Sequence, residues 1–251
     1  MRNWEDALKD HKQALLSNGF KEENILGIFC YGSQNYNLAT AESDWDTKAV
    51  IVPSFEELVL ERPITKEIII ELSSGLEEHC EVKDIREMVN MFKKQNINFI
   101  EILYTQYKWV NPIYLNLWNK YFVNNREEIA HYDEEKTLLS IVGQSLHTIR
   151  QNPTNGKKIA NGYRLYIFLK YYFKNIHYNE CILLLGDTQV FLMELKKQSE
   201  VPLFHFHFLE SAFEHFQKTT KVFNKKNMAQ IEQTMEEGIL ELMKINLPKE
   251  K

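Results

Sequence analysis

The sequence predicts an α+β protein: a small mixed β-sheet in residues 1–110, followed by an all-helical domain in residues 111–251. Three observations predict it. The apolar runs of strand length all fall within the first 85 residues. Beyond residue 112 the apolar positions recur almost only at helical spacing. Between the two regions, Trp109-Val110-Asn111-Pro112 breaks both patterns.

Taken in order, residues 4–18 predict a helix, with Trp4, Ala7, Leu8, His11, Ala14 and Leu15 on one face and Gly19 as its stop. Residues 25–31 are a buried strand, and residues 33–40 a turn or short helix behind Gly32. Residues 46–52 form the second strand, ended by Pro53-Ser54, and a poorly patterned stretch runs to about residue 65. Residues 67–72 and 79–83 predict two more strands, separated by a stretch opening with Ser73-Ser74-Gly75. Asp84 is placed to cap a helix carrying Ile85, Met88, Val89 and Phe92. Asn98 and Glu101 have the spacing of a capping box before Phe99-Ile100-Glu101-Ile102-Leu103. About five helices should fill the remainder.

An apolar content of 44% beside 26% charged residues is that of an ordinary globular protein. A net charge of −5 excludes a generally basic nucleic-acid binder but not a local basic surface. No apolar run approaches the roughly 20 residues of a membrane span. The opening Met1-Arg2-Asn3-Trp4-Glu5-Asp6 lacks the shape of a secretory leader. Cys30, Cys80 and Cys181 are odd in number and far apart, which suits a reducing, cytoplasmic setting and no structural zinc.

The chemistry concentrates in Gly32-Ser33 and, ten residues on, Asp44-Trp45-Asp46. Alternate residues on a strand point to the same side, so Asp44 and Asp46 form a paired carboxylate. Such like charges need a positive partner, and a divalent cation, Mg²⁺ or Mn²⁺, is the usual one. A glycine-serine turn at a strand end offers backbone N–H groups and a hydroxyl to phosphate oxygens. The competing account is a solvated loop; the flanking apolar strands argue against it. A third acid from a neighbouring strand would complete a two-metal site, and Glu81 is the candidate, with Glu71 as its competitor.

Tyr31-Gly32-Ser33 with Tyr36, Leu38 and Ser43-Asp44-Trp45-Asp46 resembles the nucleotidyltransferase superfamily, which has the fold of DNA polymerase beta. Within it, the segment from Glu81 to Met88, with Asn96 and residues 99–104, is similar to predicted nucleotidyltransferases associated with RNA-repair gene clusters, as are Lys157, Lys158 and Arg164. The resemblance covers about residues 25–175. It implies that Gly32 and Ser33 contact the triphosphate of an NTP and that Asp44, Asp46 and a third acid hold Mg²⁺. It also implies transfer of an NMP to a hydroxyl acceptor with release of pyrophosphate. The chain departs from the pattern at the third acid, a glutamate where such families usually place an aspartate.

Residues 137–179 contain no Asp or Glu but do contain Arg150, Lys157, Lys158, Arg164, Lys170 and Lys174. Lys157, Asn161 and Arg164 share one helix face. Tyr163, Tyr166, Tyr171, Tyr172 and Tyr178 are interleaved, a mixture suited to phosphate contact and base stacking, or to a core helix with snorkelling lysines. Lys157, Lys158 and Arg164 are expected to face Asp44 across a cleft, with RNA or tRNA as acceptor. A protein side chain or a small molecule is the alternative acceptor, and a degenerate nucleotide sensor or antitoxin-like partner the non-enzymatic alternative. Arg126 and His131, and His205 with His207, are explained by helix surfaces and carry no chemistry in this reading.

Overall fold

The structure is a computed structural model that describes residues 2–40, 43–72, 75–220 and 227–247. Ser73 and Ser74, which open the connection between two predicted strands, lie outside the described residues.

Helix α1 (Trp4–Ser17) is capped by Asn3, whose side chain accepts from the Asp6 amide at 2.9 Å. It precedes β1 (Ile25–Cys30) and β2 (Thr47–Ile51). A short helix, α2 (Phe55–Val59), follows in the stretch that showed no pattern. Its Ser54–Glu57 capping box compensates for a helix too short to show a period. Strands β3 (Thr65–Glu71) and β4 (Glu77–Asp84) come next. Helix α3 (Ile85–Lys93) starts as expected, with the Asp84 carboxylate accepting from the Arg86 and Glu87 amides. Helix α4 (Ile97–Ile100) is capped by Asn96 rather than Asn98, and Glu101 is not part of a capping box.

One strand falls outside the expected 85 residues. β5 (Lys108–Val110) pairs antiparallel with β1, giving the order β3-β4-β2-β1-β5. β2 and β4 run parallel and every other pair antiparallel. The sheet is therefore mixed, as predicted. At three residues, β5 is too short to show an alternation of its own.

The helical part comprises α5 (Leu115–Trp118), α6 (Arg126–Ala130), α7 (Glu134–Gln151), α8 (Gly156–Tyr172), α9 (Tyr178–Ile182), α10 (Gly186–Lys197), α11 (Leu203–Thr219) and α12 (Met228–Ile245). Among the described residues no helix is long and apolar enough to cross a membrane.

Both faces of the sheet are covered. Leu15 of α1 packs with Ile25, Ile28, Ala49, Ile51 and Val82 on one face. On the other, Leu26, Phe29, Val50 and Val52 join a core that continues through α3 and the helices to Leu242. The two regions thus share one apolar core. That explains the uninterrupted burial of β1 and β2, whose side chains all meet protein. Helix α12 returns to the sheet region. Asn246 donates to the Val52 carbonyl at 3.2 Å and accepts from the Tyr114 hydroxyl at 2.7 Å.

Gly156 opens α8 against the end of α10. A Cβ at this position would collide with the Leu195 and Gln198 carbonyl oxygens. Gly156→Ala is expected to destabilise the protein by roughly 2 kcal/mol, because backbone must shift to admit the methyl. Urea unfolding of the two proteins measures this, with the midpoint falling at unchanged slope.

Candidate active site

Asp44 and Asp46 are fixed by what lies between and behind them. Trp45 turns away into a pocket with Trp4 and Tyr107, at ring-centroid distances of 5.7 and 5.1 Å. Its burial sends the flanking aspartates to the opposite side, so that Asp44 and Asp46 both line one cavity. The segment is held on both sides. The Tyr31 amide donates to the Asp46 carbonyl at 3.1 Å, and Gln34 to the Asp44 carbonyl at 3.3 Å. From β4 the His79 amide donates to the Asp46 carboxylate at 3.1 Å. The Trp45 amide donates to Glu78 at 3.3 Å, and buried Glu78 also meets Arg2 and His11.

Burial and the neighbouring Asp44 charge push the Asp46 carboxyl above its ordinary range, against the pull of the His79 amide. Two carboxylates on one cavity wall are a donor set for a hard divalent cation. Magnesium is commonly held by one or two carboxylates, with substrate phosphates and water filling its remaining positions. The residues present therefore fit a magnesium ion bound together with a phosphorylated substrate.

Gly32 follows β1 with φ +86°, a conformation that favours glycine. Ser33 lines the cavity, and its amide and hydroxyl make no hydrogen bond among the described residues. The Gly32 amide is already engaged: it donates to the Glu101 carboxylate at 2.9 Å. Gly32 itself lines the cavity beside Ser33.

The cavity has a volume of about 440 Å³, within the range of small-molecule sites. Its far wall is the helical region. Lys157 and Arg164 of α8 reach it, as the shared helix face predicted, and so does Lys196 of α10. None of these three cations has a carboxylate within ion-pair distance among the described residues. Arg164 is almost wholly buried. Its guanidinium lies 4.0 Å from the Tyr36 ring centre and its Nε donates to Asn161 at 3.0 Å, yet its Nη1 has no partner. Burial, with Lys157 close by, lowers the Lys196 ammonium below its ordinary range, and its Nζ donates to the Leu38 carbonyl at 2.7 Å. Gln189 donates to the Asn37 carbonyl at 2.8 Å. Helix α10 thereby grips the loop that follows the glycine turn.

Two expected residues lie elsewhere. Lys158 falls outside the cavity and donates to Gln151 at 3.5 Å, because one residue along a helix turns the side chain by about 100°. Glu81 is also outside the lining. Its carboxylate pairs with buried Lys48 and, at 3.3 Å, with Lys83. Burial acts to raise it, but the two lysines outweigh burial and hold it below its usual range. Lys48 is itself enclosed by the Tyr31 and Phe99 rings, at 4.0 and 4.2 Å. Glu81 is thus a structural ion-pair partner here. Its competitor Glu71 is exposed at the end of β3. Among the described residues no three His, Cys, Asp or Glu side chains form a metal cluster.

The aromatic segment divides. Tyr172 and Tyr178 are core residues, at 0% and 1% exposure, and do not offer a stacking surface. Tyr163 bonds His205 at 2.9 Å, and Arg150 is paired with Glu210 at 2.8 Å. The cations left unpaired at the cavity are the part of this segment that bears on a ligand.

No family model matches the chain, and no curated protein matches it. Among solved structures, it is similar to a cytoplasmic RNA terminal U-transferase, at 15% identity and a TM-score of 0.26, with 87% of this chain covered. The chain spans 65% of the length of that protein. At these values the similarity carries no argument about the chemistry of this chain. Lys196, Tyr36, Asn98 and Glu101 were not predicted as site residues. Tyr36 and the 99–104 segment stood in the resembling motifs, but no local pattern linked Lys196 to the cavity.

Proposed function

We propose that the protein is a metal-dependent nucleotidyltransferase that moves an NMP from an NTP to a hydroxyl acceptor and releases pyrophosphate. One observation carries the reading. Asp44 and Asp46, the Ser33 turn and three cations free of carboxylate partners among the described residues converge on one cavity, and one of those cations keeps a buried, unpartnered N–H. Such an arrangement matches a triphosphate with its cation: carboxylates on one wall, phosphate donors on the other.

In this reading Asp44 and Asp46 would hold Mg²⁺, whose charge would stabilise the transferring phosphoryl group. The Ser33 amide and hydroxyl donate to the phosphates. Arg164, Lys157 and Lys196 orient the triphosphate tail and offset the charge that develops on the departing pyrophosphate. With two carboxylates, the reading takes one metal site rather than two. The proposed acceptor is RNA, drawn to the exposed Lys157 at the rim.

The engagement of Glu81 by Lys48 and Lys83 favours a second reading, a nucleotide sensor that binds without transfer. Incubation with each labelled NTP, total RNA and Mg²⁺ or Mn²⁺ separates the two. Label in the RNA, lost in the Asp44→Ala/Asp46→Ala protein, supports the enzyme. Binding of NTP with no transfer supports the sensor. Arg164→Ala is expected to weaken NTP binding by about ten- to a hundredfold, the worth of a charge-assisted hydrogen bond. Unchanged binding would remove Arg164 from the site.

A further inference from the structure

We propose that Glu101 is a positioning residue for the phosphate turn, bracing it from behind and tying it to Arg164 on the opposite wall of the cavity. The proposal rests on the nucleotide reading of that cavity. Glu101 lies in a 3₁₀ turn (Glu101–Leu103) directly after α4 and is fully buried. One carboxylate oxygen accepts the Gly32 amide at 2.9 Å and the other accepts the Tyr36 hydroxyl. The Arg164 guanidinium rests on the ring of the same tyrosine, 4.0 Å from its centre. A continuous chain therefore runs from the left-handed glycine through Glu101 and Tyr36 to the unpartnered Nη1 of Arg164.

Burying a carboxylate without an ion-pair partner is costly, and an apolar side chain of similar volume would serve packing alone better. Glu101 has no cation within ion-pair distance among the described residues; Arg164 acts on it from across the Tyr36 ring. What the carboxylate does is directional. It takes up the Gly32 amide and so fixes the Tyr31–Gly32 peptide plane, one residue ahead of Ser33, leaving the Ser33 amide and hydroxyl as the turn's free donors at the cavity. Through Tyr36 it also holds the surface on which Arg164 lies. Donors arranged before the ligand arrives need no reorganisation when it binds.

The experiment is calorimetric titration of wild type, E101A, E101Q and Y36F with magnesium tripolyphosphate and with each NTP, alongside amide exchange at Gly32. E101A should bind tripolyphosphate roughly tenfold more weakly and exchange the Gly32 amide at least about tenfold faster. E101Q keeps an acceptor oxygen and should recover most of the affinity. Y36F keeps the bond to Gly32 but cuts the tie to Arg164, and should lose roughly threefold. Wild-type affinity in folded E101A overturns the proposal. So does weaker binding in E101A without faster exchange at Gly32, which shows that the affinity was not lost through the turn. If E101A does not fold, Y36F carries the test, and wild-type affinity there overturns it. A wild-type protein that binds neither tripolyphosphate nor any NTP refutes the nucleotide reading itself. Binding that R164A abolishes and E101A leaves intact refutes the brace alone.

Discussion

Asp46→Asn is expected to cut the proposed nucleotidyl transfer by about a thousandfold while leaving the protein as stable as before or more so. The two effects have one origin. Asp46 is pressed by burial and by the Asp44 charge, and its carboxylate accepts the His79 amide. Asparagine retains an oxygen for that amide and removes the repulsion. The fold therefore loses nothing, and thermal unfolding should occur at an equal or higher temperature. The proposed metal site loses one of its two carboxylates. If that ligand accounts for about 4 kcal/mol of transition-state stabilisation, the rate falls on the order of a thousandfold. Label transfer and a melting curve on the same preparation check both parts. An active D46N protein would remove Asp46 from the site, and a poorly folded one would show that the aspartate serves the fold.

The second large effect is a pH dependence of stability assigned to Glu101. Burial raises its carboxyl from an ordinary value of 4.5 to about 7, against the pull of Tyr36, Arg164, the Gly32 amide and Lys48. Folded protein keeps the proton up to about pH 7, whereas the unfolded chain releases it near 4.5. Between those values the native state binds more protons, so this residue's contribution to stability falls as pH rises. The slope is about 1.4 kcal/mol per pH unit, a total of roughly 3 kcal/mol. The contribution is fully present below pH 4.5, is lost as pH climbs through 7, and then levels off. The measurement is the difference in unfolding free energy between wild type and E101Q from about pH 5 to 8, which cancels the other titrating groups. A difference independent of pH would show that Glu101 is ionised throughout.

The parts of the site legible in the sequence are those whose geometry is local. Gly32 and Ser33 end a strand, and Asp44 and Asp46 share a face because they are two apart. Lys157 and Arg164 share a helix face because they are seven apart. Lys158 shows the limit of such reasoning: a neighbouring cation in the sequence faces another way. Glu81 shows a second limit. Strand register places it opposite Lys48, a pairing that no spacing within either strand encodes. Glu101 matched a capping box by spacing, yet its partners Gly32 and Tyr36 lie 69 and 65 residues away. Lys196 reaches the cavity by the packing of α10 against α8. The sheet was legible in its four longer strands, where apolar runs are bounded by turn residues. β5 was not, because three residues set no period.

Asn246 bonds Val52 across 194 residues and Tyr114 across 132. This has a meaning for the ribosome. When β5 has been translated the five strands of the described residues are complete, but the apolar face still lacks the helices beyond α4. At roughly 5–20 residues per second, α12 follows β5 by on the order of ten seconds. During that interval Leu26, Phe29, Val50 and Val52 share their core with α3 and α4 but lack the later helices that complete it. The Gly32-Ser33 turn and the paired aspartates are made early, yet their opposing wall does not exist until α8 and α10 have emerged. If the cavity takes a nucleotide as proposed, binding must wait until α8 and α10 have been made.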